Sequence, residues 1–128
     1  MTPTHKTMGS AGADLVCAKE TTIQPGETVL VSTGAYVPSG LPSGIALLLL
    51  ARSSIAYKKR LLLSNGVGLI DSDYPDEIKC MYTNLNTEAV TLAKGERIAQ
   101  LMPVQYVHGV FPTESNIRTG GIGSTNND

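Results

Sequence analysis

Four polar clusters interrupt or end the predicted strands, and three of them carry residue types that could do chemistry. Residues 65–74 (NGVGLIDSDY) place Asp71 and Asp73 two apart, directly after the apolar GLI run. In an extended chain both carboxylates share one face. A carboxylate held there can act as a general base or orient a metal-bound water. Arg52-Ser53-Ser54 follows the most apolar run, residues 45–51 (IALLLLA), where a helix is predicted to open. Exposed amides, two hydroxyls and a guanidinium together suit a phosphate. Gly12-Ala13-Asp14-Leu15 sets an aspartate at a strand start, and residues 118–125 (RTGGIGST) combine an arginine, three glycines and three hydroxyls around backbone amides able to wrap phosphates. Taken singly, each cluster reads more simply: a turn aspartate, an ordinary N-cap, a polar turn and a disordered tail. His5 and His108 have no partner pattern and read as surface residues.

The elements that must position these clusters are strands. Proline, glycine, serine and asparagine punctuate the chain every eight to twelve residues or so, the rhythm of an all-β sandwich or barrel. Strands are predicted over 14–18, 28–32, 35–38, 45–51, 66–70, 78–85, 89–92 and 98–107, and a short helix over 54–60, capped by Ser53 or Ser54. Gln24-Pro25-Gly26-Glu27 suits a type II turn, and Ala93-Lys94-Gly95-Glu96 suits a second tight turn whose flanking strands are expected to pair. From Pro112 onward only Ile117 and Ile122 are large and apolar. The domain is therefore placed at 1–111, with 112–128 a flexible tail unless it docks.

Composition removes other classes. At 128 residues the chain is one domain. Ten basic against eleven acidic residues leave a charge of -1, so no charge-driven nucleic-acid binding is expected. No tryptophan, one phenylalanine and five tyrosines give no base-stacking platform of the RRM or OB kind. The longest apolar stretch is seven residues, far below the roughly 18 that a membrane span needs, and no apolar run follows Lys6 as a signal peptide would require. Cys17 and Cys80 lie in separate apolar segments and read as reduced thiols in a cytoplasmic protein. Apolar surface beyond one small core would suit subunit contacts.

Read in order, the clusters resemble the five motifs of the homotrimeric dUTPase family: SAGADL (10–15), ARSS (51–54), NGVGLIDSDY (65–74), GERIAQL (95–101) and RTGGIGST (118–125). The resemblance runs from Ser10 to Thr125, and GLIDSDY and RIAQL are its most specific strings. It implies a jelly-roll-like distorted β-barrel with one short helix, assembled as a homotrimer whose active sites draw on all three subunits. It implies hydrolysis of dUTP to dUMP and pyrophosphate by Mg2+-assisted attack of water at the α-phosphorus, which limits uracil in DNA and supplies dUMP for thymidylate synthesis. On this resemblance Asp71 deprotonates the water. Asn65, Gly68 and Ile70 surround the uracil, Tyr74 packs on the deoxyribose, and Ile122 covers the base. Arg52, Ser53, Ser54 and Gln100 hold the phosphates, and Arg118, Ser124 and Thr125 close over the γ-phosphate. Asp14 meets the Mg2+ through water, the metal being held mainly by the triphosphate.

The sequence departs from the family pattern in four places. Ile122 replaces the usual aromatic of the fifth motif, the tail is one residue short between Arg118 and Gly120, Pro75-Asp76 replaces a polar residue and glycine, and the chain ahead of the first motif is short, so an N-terminal strand is expected to be missing or shortened. Two rivals remain. A dCTP deaminase shares the fold but uses a glutamate in the third-motif region, where Asp71 stands. A nucleotide-sensing module with a regulatory protein partner would tolerate the altered tail. A generic β-sandwich binding module leaves the ordered motifs unexplained.

Overall fold

Short β-branched and leucine runs between glycine and proline breaks fold as strands with one helical turn-and-a-half between them. The computed structural model describes residues 2–115, 118, 120 and 122. Among these, the elements in chain order are β1 (Thr4–His5), β2 (Ala13–Val16), β3 (Thr21–Ile23), β4 (Thr28–Ala35), β5 (Ile45–Ala51), α1 (Ser53–Lys58), β6 (Leu61–Leu63), β7 (Gly68–Ile70), β8 (Ile78–Asn84), β9 (Val90–Leu92) and β10 (Arg97–Gln105). They form a five-stranded sheet ordered β1-β2-β10-β5-β7, a three-stranded sheet β4-β8-β6 and the pair β3-β9. Every pairing is antiparallel. The all-β reading holds, but among the described residues the sheets do not close into a barrel. The N-terminal strand is shortened rather than missing: two residues of β1 pair with Asp14 and Ala13.

Side-chain alternation builds the core between the sheets. In β8 Ile78, Cys80, Tyr82 and Asn84 are buried in strict period two, and Leu47 and Leu49 of β5 join Leu15, Ile98 and Leu101. Buried polar groups are partnered. Tyr82 donates its hydroxyl to the Ile98 carbonyl at 2.5 Å, and the Asn84 amide donates to the Ile23 and Glu88 carbonyls. Both cysteines are free and buried, and burial, with Cys17 adding to it, pushes the Cys80 thiol up to about 12. Among the described residues no helix is long and apolar enough to cross a membrane.

Three expectations are corrected by non-local pairing. The strands flanking Ala93–Glu96 do not pair with each other: β9 joins β3, whereas β10 lies between β2 and β5. The tight turn itself forms, with Gly95 at φ +84 and the Glu96 amide donating to the Ala93 carbonyl, but it carries the chain from one sheet to another. The separate strands expected at 28–32 and 35–38 are one strand, β4, ending at Ala35. It keeps β8 as its partner across a bulge between Ser32 and Ala35, where Gly34 takes φ +69. Finally, α1 is not capped by a serine. Arg52 is the N-cap in extended conformation with no side-chain capping hydrogen bond, and Ser53 and Ser54 lie inside the helix.

Candidate active site

The five-stranded sheet has a second face turned away from the core. Leu48 is level with Met102 and Leu69, Ala46 with Val104, and Leu50 with Gln100, which is level in turn with Asp14. Directly opposed residues share a face, so this face carries an apolar middle with polar groups at its two ends. Each end is a cleft.

At one end, residues from three distant segments line a cleft of about 450 Å3: Ser10, Gly12 and Asp14 from around β2, Arg52, Ser53 and Ser54 from the start of α1, and Gln100 of β10, with Lys6 beside them. Asp14 is held between two guanidinium groups, Arg52 Nε at 3.5 Å from one oxygen and Arg97 Nε at 3.5 Å from the other. Gln100 donates to the Ala51 carbonyl at 3.2 Å. A Cβ on Gly12 would come within 2.5 Å of the Gln100 side-chain oxygen, so glycine lets this strand start lie against Gln100. Arg97 is a neighbour that motif reading passed over. Period-two reading would not have found it: the β2–β10 register shifts between Arg97 and Ala99, and across that irregularity Arg97 reaches Asp14.

At the other end, Asp71 leaves β7 beside Ala46, Leu69 and Val104 in a cleft of about 460 Å3 that also takes in Ser72, Asp73, Tyr106, His108 and Arg118. The two aspartates do not continue an extended strand. The Tyr74 amide donates to the Asp71 carbonyl at 3.1 Å, closing a turn. Both carboxylates nonetheless meet one cation: Arg118 Nη1 lies 2.5 Å from Asp71 Oδ2 and 3.4 Å from Asp73 Oδ1. The same guanidinium sits 5.3 Å from the Tyr74 ring centroid, within cation–π range. Burial opposes the Arg118 charge, but the Asp71 hydrogen bond and the two carboxylate charges outweigh it and hold its pKa above the ordinary value. Burial, with Asp76 and Glu77 adding and Arg118 opposing, raises the Tyr74 phenol. His108, read as incidental from sequence, lines this cleft. Val104, Tyr106 and His108 share one parity, and the Tyr106 amide extends the ladder to Gly44 at 2.9 Å.

Around the same turn, Asn65 is exposed in the loop between β6 and β7, where Gly66 takes φ +71. Gly68 is buried, and a Cβ there would meet the Leu49 side chain at 2.9 Å. Ile70 is half-buried opposite Leu47. Ile122 is half-exposed in a small cleft with Leu30, Tyr74, Asp76, Glu77 and Lys79. Ser124 and Thr125 lie outside the described residues.

The two clefts share no lining residue. Ile70, the residue before Asp71, is level with Leu47, five residues along β5 from Arg52, so about 17 Å of strand separates Ile70 from Arg52. Among the described residues no group of three or more His, Cys, Asp or Glu could hold a metal.

The dUTPase family model matches residues 1–126. The deoxyuridine 5'-triphosphate nucleotidohydrolase of Pseudomonas syringae pv. tomato is 43% identical over 128 residues, covering 94% of this chain and 84% of its own. That of Hahella chejuensis is 44% identical over 130 residues, covering 96% and 85%. The crystal structure of dUTPase from Streptococcus mutans superposes with a TM-score of 0.75 at 37% identity, covering 82% of this chain and 85% of that one. With a family model spanning almost its whole length and relatives above 40% identity, this chain belongs to the dUTPase family of enzymes.

Proposed function

We propose that this protein hydrolyses dUTP to dUMP and pyrophosphate at a site built from the two clefts of different subunits in a homotrimer. The observation that carries the reading is the polar cleft where Ser10–Asp14, Arg52–Ser54 and Gln100, remote in sequence, come together. Guanidinium, hydroxyl and amide donors around one cavity suit a chain of phosphates. Phosphoryl transfer is catalysed mainly by such positioning and by charge neutralisation.

Asp71 takes the proton of the attacking water at a carboxylate oxygen. A base must lie within hydrogen-bond reach of its water, and about 17 Å of strand separates Ile70, just before Asp71, from Arg52 in one chain. A second copy has to bring its phosphate cleft to this carboxylate. The apolar row of Leu48, Leu69 and Met102, with Leu69 well exposed, is a surface on which copies could pack. The backbone of 65–70, with Asn65, Gly68 and Ile70, reads the uracil edge. Polar edges left unpaired by cytosine select strongly, and a tight wall against the thymine methyl selects by overpacking. Tyr74 packs on the deoxyribose and excludes a 2'-hydroxyl, and Ile122 covers the base. Residues 112–128 act as an arm in which Arg118 exchanges Asp71 for the γ-phosphate, joined by Ser124 and Thr125.

Mg2+ fits this donor set as part of the substrate complex. Asp14 is the sole carboxylate of the phosphate cleft among the described residues, and magnesium keeps its waters and needs only one or two carboxylates besides phosphate oxygens. Asp14 would reach the ion through water while orienting Arg52 and Arg97. When bound, the ion neutralises charge on the phosphates. The physiological setting that fits is the cytoplasm, where dUTP removal limits uracil in DNA and yields dUMP for thymidylate synthesis.

The test is pyrophosphate release from dUTP with Mg2+, run beside dTTP, dCTP and UTP. Selective release from dUTP, abolished by a chelator, is expected. Ammonia release from dCTP would favour the deaminase, and tight dUTP binding without release the sensing module.

A further inference from the structure

The bulge in β4 has to satisfy polar groups that the strand ladder leaves out. Thr33 turns its hydroxyl to the Ile78 carbonyl and accepts from the Ala35 amide at 3.2 Å. Two of the remaining groups converge on one carboxylate oxygen, Glu77 Oε2, which accepts from the Gly34 amide at 2.7 Å and from the Ser32 hydroxyl. Through its main chain the same residue accepts the Tyr74 hydroxyl at 3.3 Å. Glu77 thus joins the bulge of one sheet to the turn that leaves the other sheet at Asp71.

We propose that Glu77 is a positioning residue that fixes the Tyr74 ring, and with it the sugar selectivity of the site, by clamping the 71–77 turn to the β4 bulge. The inference rests on the reading of Tyr74 as the deoxyribose platform. A ring excludes one extra hydroxyl only if it cannot retreat, and Tyr74 is only half-buried, with its hydroxyl tied to Glu77 and its neighbours Asp76 and Ile122 on the surface. The ring's inner side packs against the core, but Pro75 and Asp76 leave the chain between Tyr74 and Glu77 exposed, so Glu77 is what ties the outer end of the turn to the β4 bulge. The Ser32 hydrogen bond, against the opposing effect of burial and with help from the Gly34 amide and Lys79, keeps the Glu77 carboxyl ionised below the ordinary glutamate range. A carboxylate held charged at a bulge is a stronger acceptor than a neutral group.

The experiment compares wild type, Glu77→Ala, Glu77→Gln and Ser32→Ala by two readouts. The first is the ratio of kcat/KM for dUTP to that for UTP. The second is amide hydrogen exchange at Gly34 and across 71–77, which needs no turnover. Glu77→Ala is expected to lower the dUTP/UTP ratio about tenfold, by raising activity on UTP and the KM for dUTP more than it lowers kcat, with faster exchange at both places. Glu77→Gln, which keeps an acceptor oxygen for the Gly34 amide, should recover most of the ratio. A Glu77→Ala enzyme that loses thermal stability but keeps its sugar selectivity and slow exchange over 71–77 would overturn the proposal. Should that variant fail to fold, Ser32→Ala decides, with a smaller fall in the ratio expected and an unchanged ratio contradicting. If wild type does not hydrolyse dUTP, the functional reading falls while the exchange result still tests the clamp.

Discussion

Arg118 Nη1 stands 2.5 Å from Asp71 Oδ2, a contact between residues 47 apart that brings the start of the tail onto the carboxylate ending β7. Half of the Asp71 side chain faces solvent while Arg118 keeps only 15% exposure. Water screens such a pair, so its worth to folding is about 0–1 kcal/mol. The contact therefore matters for where the two groups sit rather than for stability, and it separates the expected effects on turnover from those on Tm.

Asp71→Asn removes the charge and the base but leaves the phosphate cleft untouched. General-base loss typically costs about 10²–10⁴ in rate. The expected result is a fall of that size in kcat, with dUTP still bound in calorimetry and Tm nearly unchanged. Near-normal turnover would remove Asp71 from its role.

Ile122→Phe would place an aromatic lid in the small cleft beside Tyr74 and Leu30. Stacking on a base is worth about 1–3 kcal/mol. Steady-state kinetics should show kcat/KM for dUTP rising about fivefold or more. An unchanged value would mean that this part of the tail does not cover the uracil.

Gly12→Ala drives a methyl toward Gln100, whose side-chain oxygen is 2.5 Å and whose Cβ is 3.1 Å from the added carbon. Gln100 must swing away, losing its bond to the Ala51 carbonyl. KM for dUTP is expected to rise several-fold, because a cleft donor is displaced, with a Tm loss of only a few degrees. A wild-type KM would argue that Gln100 does not touch the phosphates.

The Glu77 carboxyl has a pKa lowered in the folded state, first by the Ser32 hydrogen bond. Its contribution to stability is fully present above the unfolded value of about 4.3 and is lost as pH falls through the lower folded value. Wild type should exceed Glu77→Gln in Tm at neutral pH, and thermal melts should show that margin shrinking as the pH drops below about 4. A margin constant from neutral pH to pH 3 would contradict the linkage.

What the sequence disclosed were features written in one segment. The turns at Gly26 and Gly95 are legible because positive φ needs glycine. The β5 run is legible because both of its faces are apolar, and the polar clusters because motif order survives in a single chain. What it concealed depends on partners remote in sequence. Nothing in TTIQPGE says that β3 joins β9, or in VSTGA that a bulge keeps β4 on β8. The serines after Arg52 have good cap chemistry, yet the extended Arg52 takes that place because it ends a strand paired at Ala51. Arg97 and His108 escaped notice because Arg97 meets Asp14 across an irregularity in the β2–β10 register and His108 lies past the end of β10, so period two places neither. The separation of Asp71 from Arg52 along β5 was also hidden until the register was known, and it is this separation that the proposed sharing of sites between chains would bridge.

The proposed sharing has a direct test. Asp71→Asn chains and Arg52→Ala chains, each inactive alone, are unfolded together, refolded and assayed for pyrophosphate release from dUTP. If one chain supplies the base and another the phosphate cleft, mixed trimers contain some sites with both residues intact, and activity returns. Well-folded mixed trimers that stay as inactive as either parent would contradict the account, since both residues would then serve the same site from one chain.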